Sequence, residues 1–242
     1  MTGRIPLLLL PGLLNDDALW AAQRTGLADI ADCHVGDLTA GTTLHEVAAQ
    51  VLDAAPPTFA LAGFSLGGFV AQQILRMAPE RVCRLALLDT TYLPDSSERA
   101  AQRAAQAASV RAASGASRTA VFHGFGDAMM RQYVDASRLD DEALLHAIRA
   151  MTTRLGADVF LRQIALERVD GSDVLSAWQG PALVLCGAND RITPVAVHEQ
   201  MHALMPQSRL EVLAACGHLS PMERPEAVND ALRAWLHAPT AG

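Results

Sequence analysis

The sequence predicts an α/β fold in which a parallel β-sheet lies between two layers of helices. Short apolar runs of the kind that form buried strands alternate along the chain with longer runs whose apolar residues recur at helical spacing. A glycine-rich turn at residues 63–67 joins one of these apolar runs directly to a helical segment. The interval 95–176 departs from the alternation, because it is rich in alanine and has no strand-like run. Together these observations favour a sheet that carries a helical insertion.

Six segments are predicted to be strands. They are apolar at successive positions, which is typical of parallel strands covered by helices on both faces. The first runs into Pro11 and Gly12, which favours a strand and a turn over an export signal. We therefore expect a sheet of about six strands, mostly or entirely parallel. The segments lie near residues 5–10, 33–36, 59–63, 82–89, 182–187 and 209–213.

Helices are predicted between most of the strands. The final helix begins near Pro225, a residue that suits a first helical turn, and extends to about His237. The segment after the second strand carries its apolar residues on one helix face, at Leu44, Val47, Ala48, Val51 and Leu52.

The helical interval predicts a cap over the sheet. It begins just after the fourth predicted strand, so it is an insertion into the alternating fold. We assign residues 1–94 and 177–242 to the α/β core and residues 95–176 to the cap. Three cap side chains are candidates for contact with a substrate. Met130 and Phe160 offer apolar surface, whereas His123 either faces the cleft or serves a structural role.

The composition indicates a globular protein that acts on a small molecule. Half of the 242 residues are hydrophobic, the formal net charge is −7, and no basic run is present, which argues against a nucleic-acid partner. No apolar stretch reaches the roughly 20 residues that a membrane-spanning helix needs. The four cysteines lack C-x-x-C spacing, which favours apolar packing over metal binding. We expect a cytoplasmic protein with no membrane or nucleic-acid partner.

Ser65 is the candidate nucleophile. It is the centre of the sequence G-F-S-L-G at residues 63–67, between the third predicted strand and a helix. In a strand–turn–helix motif of this kind the turn is so tight that the serine hydroxyl stands clear of the sheet. Gly63 and Gly67 are then required, because a Cβ at either position would collide with the neighbouring strand or helix.

Two further residues are candidates to activate Ser65. A nucleophilic serine needs a base, and the base needs a group that orients it. Asp190 follows the fifth predicted strand and His218 follows the sixth, so both lie at the edge of the sheet that carries Ser65. Asp89, which ends the fourth predicted strand, competes with Asp190 for the role of the acid.

A second motif, H-E-x-x-H at residues 198–202, matches the zinc-binding helix of metalloproteases. A helix packed outside the sheet is the stronger interpretation. Thr193 can cap it, and Val197, Met201 and Leu204 would form its buried stripe, with both histidines toward the flank. We therefore expect neither a metal nor another cofactor.

The chain resembles the α/β-hydrolase superfamily over nearly its whole length, and it is most similar to small capped bacterial esterases, including pimeloyl carrier-protein methyl ester esterases. The resemblance implies a cofactor-free serine hydrolase that cleaves a carboxylic ester. It implies Ser65 as nucleophile, His218 as base and then acid, and Asp190 as the residue that orients His218. It rests on Gly63-Phe64-Ser65-Leu66-Gly67-Gly68, Pro79-Glu80-Arg81-Val82, Gly187-Ala188-Asn189-Asp190, Gly217-His218 and Glu223-Arg224-Pro225-Glu226.

An oxyanion hole requires two backbone N–H groups. Leu66, directly after the serine, is one candidate, and Leu13, in the loop after the first strand, is the other. Pro11 stands where the family often has a histidine.

Lactonase, thioesterase, carbon–carbon bond hydrolase and perhydrolase activities use the same triad. A ligand-binding homologue without activity also fits, because a fold does not determine a function.

Overall fold

The computed structural model describes residues 3–116 and 122–239. Its centre is a sheet of six strands in the order β2-β1-β3-β4-β5-β6, and every neighbouring pair is parallel. This confirms the prediction of a six-stranded parallel sheet. The strands are β1 (Ile5–Leu10), β2 (Ala31–Val35), β3 (Phe59–Phe64), β4 (Val82–Leu88), β5 (Ala182–Gly187) and β6 (Arg209–Leu213).

The central strands are apolar on both faces because helices cover both faces. Every residue of β3 and of β5 is buried, whereas the edge strands β2 and β6 expose part of their length. Alternate residues of one strand enter different cores. Leu7 and Leu9 belong to one hydrophobic cluster, and Leu8 and Leu10 belong to another on the opposite face.

Ten α-helices lie within the described residues. Helices α2 and α3 pack together on one face with α7 and α8, and α1 packs with α10 on the other. No helix within the described ranges is long and apolar enough to cross a membrane. The helices are α1 (Ala21–Gly26), α2 (Leu44–Ala54), α3 (Leu66–Met77), α4 (Ser97–Ala116), α5 (Asp127–Tyr133), α6 (Glu142–Ala165), α7 (Ser172–Ala177), α8 (Val195–Leu204), α9 (Ser220–Glu223) and α10 (Pro225–Leu236).

The described part of the segment between β4 and β5 consists of helices joined by loops and contains no strand, as the sequence predicts. Helix α6 is interrupted at Gly156, whose φ of 79° is a left-handed conformation that favours glycine. Buried cap residues such as Phe125, Ile148 and Met151 join the cluster on the α1 and α10 face. Helix α7, at the end of the predicted cap, packs instead against α3 and α8 beside the sheet.

Candidate active site

Ser65 occupies a strained turn between β3 and α3. Its backbone has φ 50° and ψ −113°, a combination that residues with a side chain rarely adopt. The turn is held by three hydrogen bonds. Ser65 N–H donates to the Leu88 carbonyl at 3.0 Å, and the Ser65 carbonyl accepts from Gly68 N–H at 2.9 Å and from the Thr90 hydroxyl at 2.7 Å. These bonds keep the serine in a conformation that it would otherwise avoid.

The two outer glycines of the turn are needed for the reason that the sequence suggests. A Cβ on Gly63 would lie 2.5 Å from the carbonyl oxygen of Gly67. A Cβ on Gly67 would overlap the backbone of Leu10 at the end of β1. Both contacts are with backbone atoms that cannot move aside, so the close approach of β1, β3 and α3 depends on glycine at both positions.

The structure brings Ser65, His218 and Asp190 into one chain of hydrogen bonds. The Ser65 Oγ lies 2.9 Å from His218 Nε2, and His218 Nδ1 lies 2.8 Å from Asp190 Oδ2. The side chains of His218 and Asp190 are fully buried. Nδ1 therefore donates to the carboxylate, which leaves Nε2 as the acceptor for the serine hydroxyl proton.

Asp190 is held ionised by its partners. Its carboxylate accepts the N–H groups of Ile192 at 2.7 Å and Thr193 at 3.0 Å, together with the Thr193 hydroxyl at 2.7 Å. Burial alone would raise the pKa of Asp190, but His218 and these hydrogen bonds lower it overall. Thr193 thus binds Asp190, whereas the sequence predicts that Thr193 caps α8. No side chain caps α8, and Pro194 occupies its N-cap.

Asp89 makes a different set of contacts. It is fully buried, and its carboxylate accepts Gly187 N–H at 3.0 Å and the hydroxyl of Ser220. Burial and the nearby charge of Asp190 raise the pKa of Asp89 well above its usual range. The carboxylate partner of His218 is therefore Asp190, and Asp89 joins the ends of β4 and β5 to the segment after His218.

Glu223 holds the loop that carries His218, a role that sequence reasoning missed. Its buried carboxylate accepts Gly217 N–H at 3.2 Å and Leu219 N–H at 3.1 Å, the two residues that flank His218. It also accepts Asp135 N–H, at 2.8 Å, from the cap. Burial raises the pKa of Glu223, although these donors favour its ionised form. The only signal in the sequence is a glutamate five residues after the histidine.

Leu13 and Leu66 are the two residues whose N–H groups the sequence predicts to form an oxyanion hole. Both line the cavity beside Ser65, and neither backbone N–H makes a hydrogen bond to another described residue. The loop that carries Leu13 is tied to the cap. Gln163 of α6 accepts Leu14 N–H at 2.8 Å and donates to the Leu38 carbonyl at 3.0 Å.

A cavity of about 290 Å³ opens beside Ser65. The ring of Tyr133, from α5, forms part of its wall and meets the His218 ring edge-on at 5.1 Å between centroids. The volume fits a small organic molecule. The apolar part of the wall is formed by Leu13, Leu66, Phe69, Leu93, Ile164 and Val197, and the charged part by Asp95, Arg99, Arg103 and Arg168.

The chain matches the model of the family described as "alpha/beta hydrolase fold" over residues 39–225. It belongs to the α/β-hydrolase family. This confirms the resemblance noted from its motifs, and the matched region contains the serine turn and four of the six strands.

Several relatives of this α/β-hydrolase are esterases. It is 27% identical over 206 residues to a pimeloyl-[acyl-carrier protein] methyl ester esterase of Aromatoleum aromaticum, with 80% of each chain covered. A thermophilic esterase from Thermogutta terrifontis has a similar structure, with a TM-score of 0.81 and 30% identity over 98% of this chain and 92% of that one.

The chain is also 30% identical over 182 residues to the dihydrolipoyllysine-residue acetyltransferase component of an acetoin cleaving system of Pseudomonas putida. That match covers 73% of this chain but only 45% of the relative, so the chain spans less than half of that protein's length.

The three cap residues proposed for substrate contact lie away from the cavity of this α/β-hydrolase. Met130 and Phe160 are only 2% and 3% exposed and pack in the hydrophobic core, where Phe160 contacts Phe122 at 5.9 Å between ring centroids. His123 is exposed and does not line the cavity. Helical periodicity cannot show which face of a helix is buried, which is why the sequence alone could not place Met130 and Phe160 in the core, whereas His123 lies in the loop before α5.

His198, the first histidine of the H-E-x-x-H motif, is fully buried, so the expectation that it lies at the flank of α8 is wrong. Its Nε2 accepts Thr90 N–H at 3.1 Å, and its Nδ1 donates to the Pro194 carbonyl at 3.2 Å. Burial lowers the pKa of His198 to about 4. Both ring nitrogens are already engaged, which leaves none free to bind zinc.

The second histidine of the motif, His202, is also engaged, since its Nδ1 lies 2.7 Å from Ser208 Oγ. Within the described part of the chain, no three His, Cys, Asp or Glu side chains are grouped as metal ligands. The motif is therefore part of a packed helix, α8, which His198 connects to the residues after β4.

Proposed function

We propose that this α/β-hydrolase is a serine hydrolase that cleaves a carboxylic ester through an acyl-enzyme intermediate. One observation carries the proposal, namely the chain of hydrogen bonds from Ser65 through His218 to Asp190 at the wall of a cavity. The esterase relatives named above support the same class of substrate.

The first half of the reaction transfers the acyl group to the enzyme. As Ser65 Oγ attacks the ester carbonyl, its proton passes to His218 Nε2, and Asp190 stabilises the imidazolium that forms. The N–H groups of Leu13 and Leu66 hold the negative oxygen of the tetrahedral intermediate. The intermediate then collapses, and the alkoxide leaves as an alcohol with the proton from His218.

The second half of the reaction releases the acid. A water molecule gives a proton to His218 Nε2 as it attacks the acyl-enzyme carbonyl. The second tetrahedral intermediate expels Ser65 Oγ, which recovers the proton from His218. Each step uses only groups of the chain and water, so we propose a small-molecule ester as the partner, with no cofactor, nucleic acid or membrane.

All four cysteines are free thiols, which supports the expectation of a reducing cytoplasmic setting.

The proposal predicts that Ser65→Ala loses nearly all activity. Removing the nucleophile of subtilisin lowers kcat by about a millionfold, and a loss of similar order is expected here because the alanine cannot form an acyl-enzyme. The measurement is hydrolysis of p-nitrophenyl esters from acetate to long acyl chains by the parent and the variant.

A fluorophosphonate reagent followed by mass spectrometry serves as a second measurement. It should add one adduct to the parent at Ser65 and none to Ser65→Ala. A variant whose kcat stays within tenfold of the parent would refute the mechanism. A parent that reacts with neither esters nor the reagent would favour a binding protein with an idle triad.

A further inference from the structure

The cavity beside Ser65 carries more positive charge than its own residues balance. Its wall holds three guanidinium groups, those of Arg99, Arg103 and Arg168, and a single carboxylate, that of Asp95. Asp95 forms an ion pair with Arg103. Two guanidinium groups of the wall are thus left without a carboxylate partner among the described residues.

We propose that these two groups, Arg168 and Arg99, bind an ionised carboxylate of the substrate, so that the enzyme selects monoesters of short dicarboxylic acids. The proposal rests on the proposed function, since it names the substrate class of the same site. The ester end of such a molecule meets Ser65, and the free carboxylate meets the two arginines.

Arg168 is the stronger of the two candidates because it is partly buried. Its guanidinium lies 5.4 Å from the centroid of the Phe69 ring and donates one hydrogen bond, of 2.7 Å, to the Leu166 carbonyl. Burial and the neighbouring charge of Arg103 lower the pKa of Arg168 to about 10, so the group remains charged at neutral pH. The charge of Asp95 favours the ionised form of Arg168, but Asp95 is paired with Arg103. Removing a guanidinium from water costs free energy, and a bound carboxylate offsets that cost.

Arg103 and Arg99 differ in whether their guanidinium groups are free to bind a ligand. Arg103 donates to the Leu166 carbonyl at 3.0 Å and pairs with Asp95, so its charge is balanced. Arg99 is exposed and donates to the Ile192 carbonyl at 2.8 Å, which leaves its other N–H groups for a ligand. An arginine fork binds both oxygens of a carboxylate, which makes the planar acid group a better fit than a neutral polar group.

The position of Arg168 sets the length of the molecule. Phe69, under the guanidinium, lies one helical turn beyond Ser65, which corresponds to a rise of about 6 Å along α3. Because Ser65 and Arg168 line the same cavity of about 290 Å³, the spacer between the ester carbonyl and the free carboxylate is a few carbon atoms long. Leu13, Leu66 and Ile164 provide apolar wall for that spacer.

The test compares hydrolysis of monomethyl adipate with that of methyl hexanoate, which has the same carbon chain and no second acid. The parent is expected to have the higher kcat/KM on monomethyl adipate. In Arg168→Gln the ratio of the two kcat/KM values should fall about 10- to 100-fold, mainly through KM on the charged ester. Arg168→Lys keeps the charge but not the planar fork of N–H donors, so its ratio should lie between those of the parent and of Arg168→Gln.

Arg149→Gln is the matched control. Arg149 is exposed, pairs with Asp127 and does not line the cavity, so this variant removes one positive charge elsewhere and should keep the parent ratio. Circular dichroism checks that each variant is folded. An Arg168→Gln ratio equal to that of Arg149→Gln would overturn the proposal.

Calorimetric titration of Ser65→Ala with adipate separates this proposal from the proposed function. Binding that disappears when Arg168→Gln is added supports the carboxylate site without reference to turnover. If the parent hydrolyses neutral esters through Ser65 but does not bind adipate or prefer the charged ester, only the carboxylate site is wrong. If adipate binds through Arg168 but Ser65→Ala retains turnover, only the esterase mechanism is wrong.

Discussion

Ser65 has a positive backbone φ, and the other described non-glycine residues with a positive φ follow strands at the same edge of the sheet. They are Leu14, Asp89 and Ala215, with φ of 54°, 45° and 48°. These four residues follow β1, β3, β4 and β6, at the carboxyl ends of the strands. Such conformations cost on the order of 1–3 kcal/mol each and persist only where the surroundings impose them. The strain is therefore concentrated at the edge where the nucleophile and its partners meet.

Individual contacts also decide which of two buried carboxylates pairs with His218. Asp190 receives the His218 N–H, whereas Asp89 receives the Gly187 N–H and the Ser220 hydroxyl. The same two residues have opposite pKa shifts, downward for Asp190 and upward for Asp89. An aspartate with a raised pKa is more easily protonated, so it stabilises an imidazolium less well than an aspartate that is held ionised.

We predict that Asp190→Asn lowers kcat by about 10⁴-fold, the loss that follows the corresponding change in trypsin-like proteases, because an amide favours the wrong tautomer of the histidine. Asp89→Asn is the matched variant. It resembles the neutral acid, so we expect a loss of less than about tenfold. Steady-state kinetics on a p-nitrophenyl ester gives both values. Equal losses in the two variants would contradict the assignment of the acid.

Short elements and loops of the site are held by residues from other elements. Glu223, in α9, binds backbone N–H groups on both sides of His218 and one in the cap. Tyr133 adds a further tie, since its carbonyl accepts His218 N–H at 2.6 Å. Gln163 does the same for the loop of Leu13. The cap therefore positions the site in addition to covering it.

Glu223→Gln tests this positioning. The amide replaces one accepting oxygen with a donor that faces backbone N–H groups, so the His218 loop should shift. We expect kcat to fall about 10- to 100-fold with little change in KM, and the free energy of unfolding to fall by about 1–3 kcal/mol.

Glu226→Gln, on the exposed side of α10, is the control and should leave both quantities unchanged. Activity of Glu223→Gln equal to that of Glu226→Gln would show that Glu223 has no positioning role. A loss of stability without a change in kcat would give Glu223 a purely structural role.

The molecule as a whole has two hydrophobic cores, one on each face of the sheet. Most buried cap residues belong to one of them, and Leu166 and Leu175 belong to the other. His198 joins α8 to the end of β4, beside the residues that hold Ser65. It is neutral in the folded protein because burial lowers its pKa to about 4. In the unfolded chain a histidine titrates near pH 6.5.

This difference makes stability depend on pH. Between about pH 6.5 and pH 4 the unfolded chain binds a proton at residue 198 that the folded protein does not, so the free energy of unfolding decreases as the pH falls through that window. The contribution of His198 is fully present above pH 6.5. It should decrease by about 2 kcal/mol by pH 5.

Urea unfolding of the parent and His198→Gln at pH 7.5 and pH 5 measures this contribution. Glutamine can still accept Thr90 N–H but does not titrate, so its loss of stability on acidification should be about 2 kcal/mol smaller than that of the parent. His45→Gln, at an exposed position, should match the parent. Equal pH dependence in the parent and His198→Gln would show that His198 is not the titrating group.

Much of this architecture is determined by local sequence. The strands, the serine turn and the last helix were predicted to within about two residues, because apolar periodicity and glycine requirements are properties of neighbouring positions. Ser65, Asp190 and His218 could be named because the carboxyl ends of parallel strands share one edge, so chain order implies proximity.

The tertiary structure decided what depends on residues distant in sequence. It paired His198 with Thr90, Glu223 with the His218 loop, and Gln163 with the loop after β1. It also turned Met130 and Phe160 into the core and brought Arg99, Arg103 and Arg168 to one cavity. The same helical pattern is compatible with either face of a cap helix being buried. Only the packing of that helix against the rest of the chain selects which side chains meet the substrate.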